Sequence, residues 1–384
     1  MKRPLFDQYL FADYSGGGED RHAQGNIALY TTSDTSPPEK LMPLTGRAKG
    51  FSRNALTAFV LNRLSEATDQ KQRVIFGFDH QYAWPQRLRE HAGIDETDWR
   101  PAIQKLSEGD NRSGLPALDI PSRYCRLFNQ FSEQDSFWTP FHDKAITYGI
   151  SSTRPADSLQ TRFRLTELVR PLRGTSKPKP ADTTGGIGEG IVGGQTICGL
   201  RQIATMLHRT DIAWWPFDGL DVNSPAYHGK HVGVEIYPSA VREGPQLSDD
   251  HDASETCLAV RAADKSGKLE ELMQLSTTRQ ASLRVLKEGW ILGMDPHDIE
   301  NAMERTEMPN TRPGRRRRTN SMAERSYREF PCPIEGCPHV FQGSRGGWDP
   351  HVASLKNHKD WRQDLRTGKE RMDAFKKDFP EFFE

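Results

Sequence analysis

The chain has 384 residues, and its 52 Lys and Arg are balanced by 52 Asp and Glu, so net charge argues neither for nor against a nucleic-acid partner and only local clustering can. A mean hydropathy of −0.74 puts much of the chain in polar loops, linkers or tails around a sizeable core. Five cysteines, two of them close together near the C-terminus, do not suit a disulfide framework and fit a reducing compartment with a metal clip. The basic N-terminus precedes too short an apolar run for a signal peptide, and no apolar run reaches the roughly 18 residues of a membrane span. The expectation is a soluble, cytoplasmic protein with no membrane partner.

Residues 8–14 and 25–33 predict two strands joined by the glycine loop Gly16–Gly18, that is, a hairpin. Over 52–68, Leu56, Phe59, Val60 and Leu64 recur at helical spacing behind the N-cap candidate Ser52. Residues 73–80, RVIFGFDH, read as a buried strand, and 84–170 as an insertion or lid of helical pieces. A Gly/Pro/Lys-rich loop at 173–195 leads to a helix over 196–209. Strands follow over 211–217 and 230–238, then a helix over 248–267 that continues through 268–292. Strands alternating with helices after a hairpin indicate an α/β domain over residues 1–300. A basic linker occupies 305–327, a Cys/His segment 328–363 and a charged tail 364–384.

Three apolar strands carry carboxylates at or near their ends or in their middle: Asp13, Asp79 and Glu235. A further group, Asp249, Asp250, Asp252 and Glu255, opens a helix, and the three-residue offset of Asp252 and Glu255 puts both on one face. Acids also end strands and cap helices for purely local reasons. Paired carboxylates on rigid strands, however, bind Mg²⁺ or Mn²⁺, and two such ions about 4 Å apart activate a water and stabilise the leaving oxygen in phosphodiester cleavage.

The succession of strand–Asp13, a buried strand ending GFD, the glycine-rich loop, AWWPFDG, GVEIYPSAV and the acidic helix DDHDASETCLAV resembles the predicted nucleases of RNase H-like fold, related to RNase H and the RuvC-type resolvases, over about residues 5–265. The resemblance implies a mixed sheet flanked by helices and a metal-dependent nuclease acting on DNA or RNA. It implies Asp13 as first-strand ligand, Glu235 as fourth-strand ligand and Asp252 as helix ligand for two Mg²⁺ or Mn²⁺ ions, with Glu255 competing for the helix role and Asp79 beside the site. Only Asp252-Ala253 approaches the Asp-Ala-Leu pattern of the resolvases, and 84–170 has no counterpart. The glycines after Asp13 either form flexible turns or let a phosphate approach the backbone. They also resemble the phosphate loop of the sugar-kinase and actin-like ATPases, which leaves a nucleotide-dependent phosphotransferase as an alternative, beside a non-catalytic nucleic-acid adaptor.

The C-terminal pattern Cys332-x₄-Cys337-x₁₃-His351-x₆-His358 looks like a C₂H₂ zinc finger, slightly long in its last two spacings. Two thiolates and two imidazoles make a closed, structural Zn²⁺ site, whose metal supplies the folding free energy that so short a segment lacks. Arg315, Arg316, Arg317 and Arg318 before it and Lys356 within it suit phosphate contacts that position without specifying sequence, or are a solvated linker. Fingers of this kind also bind protein.

Overall fold

The computed structural model describes residues 3–13, 27–43, 50–91, 98–108, 119–130, 137–153, 163–172, 187–188, 191–241, 248–307, 329–335, 337, 340–342, 361–362, 364 and 367–379. The chain divides into two units, Met1–Asn310 and Thr311–Glu384.

In the first unit, apolar runs with no polar interruption become strands buried on both faces, as parallel strands between helical layers require. The strands β1 (Gln8–Asp13), β2 (Ala28–Ser33) and β3 (Glu39–Leu41) form an antiparallel meander, with Gln8 opposite Ser33 and Asp13 opposite Ala28. The helix α1 (Arg53–Asp69) follows, its first turn capped by the Ser52 hydroxyl, which accepts from the Ala55 N–H at 3.3 Å. It leads to β4 (Val74–Phe78), parallel to β1. The helices α2 (Gln86–His91), α3 (Trp99–Glu108), α4 (Asp119–Asn129), α5 (His142–Tyr148) and α6 (Leu165–Leu168) come next. A short hairpin of β5 (Ile187–Gly188) and β6 (Ile191–Val192) runs directly into α7 (Gly193–Met206). The strands β7 (Ile212–Trp215) and β8 (His231–Glu235) are parallel and complete a six-stranded mixed sheet of order β3-β2-β1-β4-β8-β7. The fold is therefore α/β, with helices on both faces of the sheet.

Strand alternation divides the core in two. Leu10, Phe76, Phe78 and Trp214 pack on one face with Leu56, Val60 and Leu64 of α1 and Ile197 and Ile203 of α7. Tyr9, Phe11, Ile75, Trp215 and Val232 pack on the other with Cys257 and Val260 of α9 (Asp249–Lys265). The carboxylate of Asp264, near the end of α9, accepts from the N–H groups of Leu5 and Phe6 at 2.8 and 3.0 Å and from the Tyr9 hydroxyl at 2.8 Å, tying α9 to the entry of β1.

Two sequence expectations are corrected. Residues 84–170 were expected as an insertion or lid, and their described part packs into the core. Trp84, Trp99, Phe128 and Phe137 belong to the first core cluster, Trp99 stacks on Phe217 with ring centroids 4.0 Å apart, and the Arg100 guanidinium is paired with both oxygens of Asp218. Asp218 also accepts from the Trp214 N–H at 2.8 Å, so much of the WWPFDG motif serves to dock this segment. Nor does one helix run through 268–292. Gly267, at φ +77°, takes the left-handed conformation that glycine tolerates without penalty and ends α9 before the short α10 (Lys268–Leu272). The chain then leaves the helix to pair with the loop after β7, the Leu275 N–H donating to the Leu220 carbonyl at 2.9 Å. It re-enters at α11 (Arg279–Glu288), capped by the Thr278 hydroxyl, and a last helix, α12 (Ile299–Glu307), closes the unit.

In the second unit, β9 (Glu329–Pro331) and β10 (Val340–Gln342) form an antiparallel hairpin whose connection carries Cys332 and Cys337. The tail read as merely charged contains a helix, α13 (Gly368–Asp378), with a reciprocal capping box between Thr367 and Glu370. Its buried Phe375 packs at 6.0 Å from Trp361 and 5.1 Å from Phe379, and the Arg371 guanidinium lies 5.4 Å from the Trp361 ring centroid.

Because Trp99 is 2% exposed, Trp99→Ala is expected to destabilise the first unit by about 3–5 kcal/mol in urea unfolding. A loss below about 1 kcal/mol would mean that residues 84–170 contribute little to the core.

Candidate functional site at the carboxyl ends of the parallel strands

The register of the sheet puts Asp13 beside Asp79, with Glu235 one position earlier on the next strand. Ala12 pairs with Phe78 and Phe78 with Glu235, so Asp13 and Glu235 end β1 and β8, and Asp79 directly follows β4 between them. The Asp79 N–H continues the ladder by donating to the Ala12 carbonyl at 3.2 Å. The carboxyl ends of parallel strands are where open α/β sheets place their sites, because the strands stop there and only loops and helix starts remain. Glu235, expected at the end of a fourth strand, in fact ends β8, and the fourth strand of the chain leads to Asp79 instead.

Asp252 arrives from α9, which packs against β1 and β2. The Ser248 hydroxyl caps this helix by accepting from the His251 N–H at 3.1 Å. Asp249, Asp250 and Asp252 then fill its first turn, where the helix dipole favours negative charge. Asp250 pairs with Lys40 at 2.6 Å, whereas Asp252 is turned inward and buried. Glu255, one turn on, is only partly buried and is not among the acids acting on Asp79.

The electrostatics of Asp79 record the convergence. Burial pushes its carboxyl well above the usual carboxylate range; the negative charges of Asp13 and Glu235, a hydrogen bond shared with Asp13, and the charge of Asp252 all push the same way. Ionisation of Asp79 is thus disfavoured, the usual outcome when like charges share a desolvated site. Asp13, Glu235 and Asp252 are themselves buried.

Glu235 has a different environment. The fully buried Arg164 donates from Nη2 to Glu235 Oε1 at 2.6 Å and from Nη1 to Glu235 Oε2 at 2.7 Å. The Tyr82 N–H adds a third bond to Oε2 at 2.9 Å, and the Leu292 N–H holds the Glu235 carbonyl at 2.9 Å. Arg164 also donates from Nε to Glu167 Oε1 at 3.0 Å and from Nη1 to the Glu288 carbonyl at 3.2 Å. Although burial works against its charge, the Glu235 and Glu167 carboxylates outweigh it and raise the Arg164 pKa. Burial raises the pKa of Glu167 against the attraction of Arg164. Gln81 donates to Glu167, and Thr196 of α7 donates to Gln81 at 3.2 Å. Gln195 donates to the Asp79 carbonyl.

His80 lies beside this set. Burial, opposed by the hydrogen bond to the Gln81 carbonyl and supported by the Arg53 and Arg164 charges, lowers its pKa to about 3, so its ring is neutral. Gly199 of α7 makes room for that ring, since a Cβ there would come within 2.5 Å of it.

Arg164, Glu167, Gln81 and His80 were not legible as site residues. Arg164 reaches Glu235 across 71 positions of sequence, and the one local sign was the R-x-x-E spacing of Arg164 and Glu167, whose carboxylate accepts from the Arg164 N–H at 2.9 Å at the start of α6.

Carboxylate oxygen, which Asp13, Asp79 and Asp252 carry, is the donor that hard divalent cations bind. Among the described residues, no group of three or more His, Cys, Asp or Glu side chains is arranged as metal ligands. In the second unit, burial pushes the Cys332 thiol up to about 11, the Ile334 backbone opposing and the adjacent Cys337 thiol adding to the shift. Two thiols this close keep their protons unless a cation replaces them. The other expected zinc ligands, His351 and His358, and the basic residues Arg315, Arg316, Arg317, Arg318 and Lys356 lie outside the described residues, as does the glycine run Gly16–Gly18. No helix among the described residues is long and apolar enough to cross a membrane.

Comparison with family models, with curated proteins and with solved structures gives no significant match to this chain.

The raised Asp79 pKa has a definite sign in stability. Between the ordinary carboxylate range and that raised value, the folded chain holds a proton that the unfolded chain has released, so stability falls as pH rises through this window. In cation-free buffer, Asp79→Asn is expected to be more stable than the wild type near about pH 8, the gain closing toward about pH 4. Chemical denaturation at the two pH values checks this, and a variant less stable at both would contradict it.

Proposed function

We propose that the chain is a divalent-metal-dependent nuclease that hydrolyses phosphodiester bonds of DNA or RNA on an RNase H-like domain. The observation that carries the reading is the placing of Asp13, Asp79 and Glu235 at the carboxyl ends of adjacent parallel strands, with Asp252 of α9 near enough for its charge to act on Asp79. That arrangement was expected from the resemblance of short motifs, and the fold supports it independently. An antiparallel hairpin joined through its first strand to parallel strands, with an acidic helix packed on that hairpin, is the scaffold the reading needs.

On this reading Asp13, Asp79 and Asp252 hold the cation, and Asp252 rather than Glu255 is the helix ligand because its charge acts on Asp79. When bound, Mg²⁺ or Mn²⁺ supplies charge neutralisation at the phosphate and activation of the attacking water. The protein contributes rigid placement. Asp13 and Asp79 are fixed by the ladder between β1 and β4, and the Asp252 backbone by the first turn of α9, where its N–H donates to the Ser248 carbonyl at 3.0 Å.

In the second unit we assign Cys332, Cys337, His351 and His358 to one structural Zn²⁺. The hairpin that brings the two cysteines together supports this. Arg315, Arg316, Arg317, Arg318 and Lys356 would then contact nucleic-acid phosphates, with affinity that falls as salt rises.

The reading is tested by incubating labelled single- and double-stranded DNA and RNA with Mg²⁺, Mn²⁺ or EDTA. Cleavage is expected only with the cation, and Asp13→Asn is expected to lose more than about 100-fold, beyond what loss of an outer-shell partner costs. Cleavage that survives in Asp13→Asn or in EDTA would overturn the assignment. For the second unit, elemental analysis is expected to find about one Zn²⁺ per chain, lost in Cys332→Ser together with the fold of that unit. A zinc-free chain whose second unit is equally resistant to proteolysis would contradict it.

A further inference from the structure

A cavity of about 350 Å³ opens beside β7, the end strand of the sheet, where Ile212 begins β7 and Lys230 precedes β8. It lies at the amino end of β8, whose carboxyl end carries Glu235. Three cationic side chains line it: Arg100 of α3, Arg209 from the turn after α7, and Lys230. Two of them are already paired. Arg100 is forked onto Asp218, which also lines the cavity. Arg209 donates from Nε and Nη2 to the Asp211 carboxylate at 2.8 and 2.5 Å and from Nη1 to Ser65 Oγ at 2.9 Å. A guanidinium has five N–H donors in one plane, so these forks hold both groups still and leave each with donors to spare. Lys230 differs: among the described residues no carboxylate pairs with its ammonium. Behind it, Arg73 donates to the carbonyls of Leu5, Tyr227 and Lys230 at 2.9, 3.1 and 3.1 Å.

The strand edge adds an uncharged donor. Trp214 turns its N–H and carbonyl away from β8, to Asp218, and the two-residue repeat of a strand turns those of Ile212 toward the same edge. Leu207, Ile212 and Ala226 supply an apolar wall.

We propose that this cavity binds a small organic phosphate, its phosphate held by Lys230 with the spare donors of Arg209 and Arg100 and its organic body against Leu207, Ile212 and Ala226. The charges favour an anion: the cations Arg100, Arg209 and Lys230 meet only the carboxylates of Asp218 and Asp211, so one positive charge is left over. A phosphate monoester brings a charge of about −1.5 to −2 and three strong acceptor oxygens, which suits donors reaching the cavity from three separate elements. A carboxylate offers two oxygens in one plane. The volume lies in the range of about 300–1,000 Å³ that encloses small ligands. One cavity with one unpaired ammonium suits a single phosphate, whereas a polynucleotide backbone calls for a stripe of basic residues. The site stands independently of the nuclease reading.

The test is isothermal titration calorimetry of the full chain with AMP and glycerol phosphate, beside adenosine, which lacks the phosphate, and succinate, which carries carboxylates instead. Both phosphate esters are expected to bind the wild type, with adenosine and succinate at least about 10-fold weaker. Lys230→Gln is expected to lose about 10-fold in affinity for the esters with its unliganded Tm unchanged, and Lys230→Arg to stay within about 3-fold of the wild type. In the wild type, AMP is also expected to shield Lys230 from acetylation by acetic anhydride, read by mass spectrometry, which needs no variant to fold. Failure of both esters to bind, undiminished binding in Lys230→Gln, acetylation of Lys230 indifferent to AMP, or succinate as tight as the esters would each overturn the proposal. So would Lys230-dependent binding of a single-stranded oligonucleotide by a chain that ignores both esters, which would make this edge a nucleic-acid contact instead.

Discussion

Gathering carboxylates in a buried place costs free energy that something else must offset, and at the strand ends of this protein the offset is divided. One acid, Glu235, is neutralised permanently by the buried guanidinium of Arg164. Another, Asp79, is pushed toward its neutral form by burial and by the charges of Asp13 and Glu235. The first arrangement is fixed by a rigid, always-charged partner, and the second varies with pH.

The rest of the first unit serves to hold these two parts together. The parallel register brings Asp13 beside Asp79 with Glu235 one position earlier, and α9 delivers Asp252 while its far end is tied to the start of β1 through Asp264. Arg164 comes from the segment between β4 and α7, which a purely peripheral lid could not support. That segment is anchored by Trp84 and Trp99 in the core and by Arg100 on Asp218. Its packing and the placement of Arg164 are therefore one problem. The loop after α11 closes the arrangement by pairing Ile291 and Leu292 with Glu235 at the end of β8.

Much of this was legible in the sequence where a local signal decides the outcome. Apolar runs carrying Asp13, Asp79 and Glu235 gave the strands and Ser52 gave a helix start, whereas Asp252 and Glu255 were both left as candidates on one helix face. What escaped were features settled by tertiary contacts. Nothing local couples Arg164 to Glu235, and the aromatic residues of 84–170 are spaced too irregularly to reveal that they share the main core. The break in 268–292 had visible causes, Gly267 and the cap Thr278, but the helical periodicity on either side masked them. Which strand stands where in the sheet is likewise not a local property, and so Glu235 was expected on the fourth strand rather than on β8.

The central claim is that the aspartates at the strand ends form a site for a divalent cation. The most direct measurement is the thermal unfolding of the first unit as Mg²⁺ or Mn²⁺ is added, in the wild type and in Asp13→Asn, since a ligand that binds only the folded state raises its stability with concentration. The account predicts a concentration-dependent rise in Tm for the wild type and none for Asp13→Asn. A wild-type Tm indifferent to both cations, or an equal rise in the two proteins, would contradict it.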